Sequence, residues 1–210
     1  GRISGYAWGL GYLGGIILLA VALFGFVLPG TVFGVPATDG LEVRTVFLFC
    51  AIWTLVFSIP LLIRVPEIEA KKNRKKESIL QSYGAIWGQL KSLYKQAPET
   101  LKFLISSAVY RDGLSGVFSF GAVLGSLAFG FSQTEIIIFG MAANIVSGIG
   151  AVVGGRIDDV VGSKNVIVYS LIGLIIAGFS VFLFAEAGQI TYWIGGLALC
   201  LFVGPAQASS

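Results

Sequence analysis

Six apolar runs divide the chain, at residues 5–28, 45–63, 101–130, 136–153, 166–185 and 190–206. A hydrocarbon core of ~30 Å takes roughly 20 apolar residues of helix to cross, and each run meets or nearly meets that length. Inside a bilayer every backbone amide must be satisfied within its own segment, which makes helix the default. The short alternating strands of a barrel do not occur. The expected fold is therefore all-α: a polytopic membrane bundle of six transmembrane helices.

The polar breaks between the runs differ in kind. Residues 65–97 are too long for a simple hairpin and open on the basic run Lys71-Lys72-Asn73-Arg74-Lys75-Lys76. Ile79, Leu80, Tyr83, Ile86, Trp87, Leu90 and Tyr94 then recur at helical spacing, with Gln81, Gln89 and Lys91 opposite. That pattern predicts an amphipathic helix, resting either on the membrane surface or on the protein's own helix ends. Pro98 breaks the pattern before the third run. Residues 155–164 read as a compact polar hairpin, with Arg156, Asp158, Asp159 and Lys164 between two uncharged runs. Its glycines permit a sharp turn, and Ser163 is placed to cap the helix that follows.

Composition narrows the class. Of 210 residues, 56% are hydrophobic and 12% charged, about half the charged share of a soluble domain. A soluble enzyme and a nucleic-acid partner do not fit that balance. There is no histidine, and Cys50 and Cys200 lie far apart within apolar runs, so no metal, no cofactor and no catalytic set is expected. Lys and Arg fall on one side of a six-helix arrangement: Arg2, the loop from Arg64 to Lys102, Arg156 and Lys164. The opposite loops hold Asp39, Glu42, Glu135 and Glu186, with Arg44 the only base. The positive-inside rule assigns the basic side, with its amphipathic helix, to the cytoplasm.

Three sets of residues are candidates for function. Asp112, in Tyr110-Arg111-Asp112-Gly113, falls ~16 Å into the third run at 1.5 Å per residue, near the midplane. A charge there costs ~2.5–3.5 kcal/mol on insertion scales and normally faces a partner or water. Asp112 and Tyr110 are thus a candidate substrate or proton site; Arg111 is expected to serve structure. Asn144 and Ser147, three apart on the fourth helix, share a face and suit either helix contact or solute contact. The pairs Gly5/Gly9, Gly11/Gly15, Gly121/Gly125 and Gly150/Gly154 have the spacing that lets helices approach closely.

Together these residues resemble the major facilitator superfamily of secondary transporters. Gly155, Asp159, Gly162 and Lys164 match that superfamily's cytoplasmic signature. The segment from Ser4-Gly5 to Gly14-Gly15, Tyr110-Arg111-Asp112-Gly113 and Gly204-Pro205-Ala206-Gln207-Ala208-Ser209 are similar to the branch of fungal vacuolar amino-acid effluxers and their bacterial relatives. Val160 and Ser163 stand where the signature usually has bases, and Arg111 where the branch more often has Asn. The resemblance implies helices five to ten of a twelve-helix fold. Residues 1–63 would end one half, 64–100 link the halves, and 101–210 begin the other, with the remaining helices of the same protein as partners. It implies that the first and fourth helices here form a sliding interface. Asp159 would act as a latch docking on the eleventh helix. The implied activity is alternating-access transport of a small solute, with amino acids as cargo and a proton as coupling ion. The implied setting is a bacterial inner membrane, or a vacuolar one in a eukaryote. The competing class is a membrane scaffold without transport, in which Asp112 would be paired to a base.

Overall fold

The computed structural model describes residues 1–28, 32–36, 40–66 and 79–210. Asp39 and the basic run from Lys71 to Lys76 lie outside the described residues. Seven α-helices occur among the described residues: α1 (Arg2–Ala22), α2 (Leu41–Arg64), α3 (Ile79–Gln96), α4 (Pro98–Phe129), α5 (Gln133–Val161), α6 (Ser163–Leu183) and α7 (Gln189–Ala208). All but α3 are long and apolar enough to cross a membrane, the first with the π turn Leu23–Val27 that extends α1. The six apolar runs and the amphipathic segment thus each become a helix.

The helix ends differ from the pattern, for local reasons. Pro98 opens α4 rather than merely ending what precedes it, because the first helical position needs no N–H. A capping box starts α5: Ser132 N donates to Glu135 Oε2 at 2.8 Å, and Glu135 N donates to Ser132 Oγ at 3.3 Å. Ser132→Ala is expected to lower the unfolding free energy in detergent by ~1 kcal/mol, read as a shifted thermal midpoint.

The largest correction concerns residues 155–164, which are not a hairpin. α5 continues helically through Gly155, Arg156 and Asp159 to Val161, and the turn is Gly162 alone, at φ +85°. Only glycine adopts that backbone region without strain. Ser163 is the first residue of α6, not its cap; Gly162 holds the cap position and no side-chain cap bond forms. Charge density read as a loop because the last two turns of α5 leave the apolar layer while remaining helix.

The chain divides into two compact units, Gly1–Cys50 with Gly113–Ser210, and Ala51–Asp112. In the first, α5 is central: α1 packs along one side and α7 along the other, with α6 against α7. Small residues make both contacts close. A Cβ at Gly5 would stand 2.7 Å from Ala151 O, and one at Gly9 2.9 Å from Val152 Cγ2. On the other side, Gly150 and Gly154 receive Leu201 O and the Pro205 ring of α7. Pro205 has no N–H to give the Leu201 carbonyl, and that freed carbonyl is the atom that lies on Gly150. Ser147, fully buried, donates to Cys200 O at 2.8 Å and ties the same two helices.

The pairs behave unequally. Gly15 lies against Asn144 of α5, but nothing lies within 4 Å of a Cβ at Gly11. At 100° per residue Gly11 points about 120° away from Gly5, so the spacing alone overstates its role. Gly121 and Gly125 admit Tyr192 and, at Gly125, Phe131, whose rings join Phe139 in an aromatic cluster.

In the second unit, the end of α2, α3 from Gln81 onward and the start of α4 are largely exposed. Within it Trp53 packs against Phe57 at 4.5 Å, and Lys102 pairs with Glu99 at 2.8 Å.

Candidate functional site

Two features of the first unit have the form of working parts. The first is a cavity of about 480 Å³, the size of a small-solute site. Five helices contribute to its wall, through Leu19 of α1, Gly121 of α4, Phe139 and Asn144 of α5, Val181 of α6, and Tyr192 of α7. No charged side chain lines it. Its polar atoms are few: Asn144 Nδ2 donates to Gly140 O at 2.7 Å, and Tyr192 Oη donates to Gly121 O at 2.5 Å. Asn144 Oδ1 is the side-chain atom a Cβ at Gly15 would meet at 2.9 Å, so Asn144 stands where α1 and α5 approach.

The second feature is a polar clasp where the end of α5 meets the start of α1. Arg2 Nε lies 3.1 Å from Asp159 Oδ2. One turn earlier Arg156 Nη2 donates to Tyr6 Oη at 3.0 Å, with its guanidinium 5.8 Å from the Tyr6 ring centre. Asp158 is buried beside them, and its Oδ1 has no hydrogen-bond partner. Among the described residues, the side chain that pairs with Asp159 is Arg2 of α1. Gly155 and Asp159 are four apart and share a face, and Gly155 touches the backbone of Gly5, which delivers Asp159 to Arg2. Both side chains of the Arg2–Asp159 pair are well exposed, so the bond contributes at most ~1 kcal/mol.

The residues singled out from the sequence separate. Asn144 lines the cavity; Tyr110 and Asp112 do not. Tyr110 Oη accepts from Ser107 Oγ at 3.4 Å, within the second unit. Asp112 is exposed near the middle of α4 and forms no ion pair among the described residues. Gly155 sits in the α1–α5 contact, Asp159 in the clasp and Gly162 in the turn, while Lys164 is exposed at the start of α6 and unpaired among the described residues.

Other contributors carry no local sequence signal. Arg2, Tyr6 and Asp158 acquire their roles only through the packing of α1 on α5. Gln207, polar near the end of α7, accepts a hydrogen bond from Tyr12 Oη, and Ser4 Oγ donates to Ala208 O at 2.6 Å. These bonds join α1 to α7 beside the clasp.

No curated protein and no solved structure matches the chain. The family described as vacuole effluxer Atg22-like matches it from residue 1 to residue 210. This multi-pass membrane protein belongs to that family, which is part of the major facilitator group of transporters.

Proposed function

We propose that the protein is a secondary carrier that moves a small solute across a membrane by alternating access. The observation that carries the reading is the uncharged cavity, walled by α1 and by α4 through α7, with the releasable clasp on two of those same helices. Such a cavity accepts a neutral or apolar portion of a solute, and Asn144, whose Nδ2 is held by Gly140 O, offers the rest of its amide to it. Asp112, with Tyr110 two residues before it on α4, is the group that binds a coupling proton or the charged part of the solute. Its lack of an ion pair among the described residues favours this role over a structural one.

On this reading α1 and α2 end one half of the carrier, α3 belongs to the linker, and α4 to α7 begin the other half. The Gly155–Asp159–Gly162–Lys164 signature is the conformational latch, with Asp159 closing on Arg2. Amino acids are the cargo that the family's name and the resemblance favour, and efflux the direction. The basic loops face the cytoplasm of a bacterial inner membrane, or lie on the cytosolic side of a vacuole. Sites at the interface of two rocking halves are the general design of such carriers.

Side-specific labelling tests it in the complete protein. With Cys50 and Cys200 replaced by Ser, an Asn144→Cys variant is expected to react with an impermeant maleimide from one face. Reversing an imposed solute gradient should move that reactivity to the other face. A thiol at this position that reacts from neither side under any gradient would favour a non-transporting scaffold.

A further inference from the structure

The helix α3 is unlike its neighbours: its apolar residues are gathered on one side and left bare. At 100° per residue, Tyr83, Ile86, Trp87, Leu90, Leu93 and Tyr94 fall within an arc of about 120°. Trp87 is 63% exposed and Tyr94 69%, and Tyr83, Ile86 and Leu90 are exposed as well. On the other side nothing lies within 4 Å of a Cβ at Gly84 or Gly88. A bare stripe of this size in water is unstable and marks an interaction surface.

We propose that α3 lies in the interface of an anionic membrane leaflet, its stripe immersed and its long axis parallel to the surface. Charge selects this occupant. The helix carries Lys91 and Lys95 and no acidic residue, and both lysines follow one edge of the stripe, just beyond Trp87. From there their stems can lie along the acyl region while the ammonium groups reach lipid phosphates. The sequence before the helix adds Lys71, Lys72, Arg74, Lys75 and Lys76 against Glu67, Glu69 and Glu77, a balance that is still basic. Ring chemistry points the same way. Half of the stripe is Tyr or Trp, whose polar tips would need dedicated partners in a dry protein groove but find headgroups and water at an interface. The inference stands apart from the transport reading, since it uses no residue of the cavity or the clasp.

Depth measurement by spin label tests it in the complete protein, with Cys50 and Cys200 replaced by Ser. Labels are placed through Leu90→Cys on the stripe and Ser92→Cys opposite, and the protein is reconstituted with phosphatidylcholine alone or mixed with phosphatidylglycerol. With the anionic lipid, the label at 90 is expected to collide with oxygen and not with a nickel chelate, at a depth of ~5–10 Å below the headgroups. The label at 92 should show the reverse. Lys91→Gln and Lys95→Gln should each lower the immersed population about fivefold. A label at 90 shielded from both probes would mean a protein groove covers the stripe, and one open to nickel would mean it stays in water. Immersion unaffected by phosphatidylglycerol or by the lysine substitutions would overturn the charge-based choice of partner.

Discussion

Asp112→Asn is expected to abolish uphill transport into proteoliposomes while leaving the protein as abundant in the membrane as before. Near the middle of a membrane helix a carboxylate costs ~2.5–3.5 kcal/mol on insertion scales. Asparagine keeps the shape and removes that cost, so insertion should be equal or better. A purely structural carboxylate would behave in the opposite way, since removing one member of a buried pair leaves a stranded charge and destabilises by ~3–5 kcal/mol. No such pair to Asp112 occurs among the described residues. If Asp112 carries the coupling proton, the variant should still exchange solute down its gradient, and that exchange should be independent of pH. Uphill transport surviving in Asp112→Asn, with its pH dependence intact, would remove Asp112 from the mechanism.

The second large effect is on folding. Gly154→Leu is expected to yield little or no monodisperse protein on size exclusion after detergent extraction. A Cβ at Gly154 would stand 2.7 Å from Pro205 Cα and 3.0 Å from its Cγ. The ring of Pro205 is rigid and its Cα is backbone, so neither can turn aside. A full leucine must force α7 away from α5, which also strains the Ser147–Cys200 bond. Overpacking of a close core contact costs ~1–3 kcal/mol or more, and here it opens the central seam of the unit. Gly11→Leu serves as the control, because open space surrounds a Cβ there. Equal yields from the two variants would mean that the α5–α7 contact is not what holds the unit together.

What was legible beforehand follows from how each feature is encoded. The six spans were readable because bilayer thickness imposes a length and an apolar composition on any helix that crosses it. α3 was readable because its period of 3.6 is carried by large side chains. Residues 155–164 have the charge of a turn, yet α5 stays helical to Val161, because a helix remains a helix where its sequence turns polar. The signature residues Gly155, Asp159 and Gly162 were visible as a spacing, but Arg2 as partner to Asp159 was not. That pairing depends on the approach of two helices roughly 150 residues apart in sequence. The cavity was illegible for a similar reason. Its wall takes a few ordinary apolar residues from each of five helices, and only Asn144 stands out as a polar residue in an apolar run.

The continuity of α5 through Gly155 to Val161 has a mechanical consequence. A helix of this length behaves as a stiff lever, with the clasp near one end and the cavity nearer the other. Asp159 and Asn144 are 15 residues apart along it, a distance of ~22 Å at 1.5 Å per residue. A tilt of about 5° around the Asp159 end would therefore carry Asn144 through ~2 Å, enough to make or break a hydrogen bond. On the proposed transport reading, an exposed ion pair worth no more than ~1 kcal/mol would thus bear on the geometry of a cavity ~22 Å away.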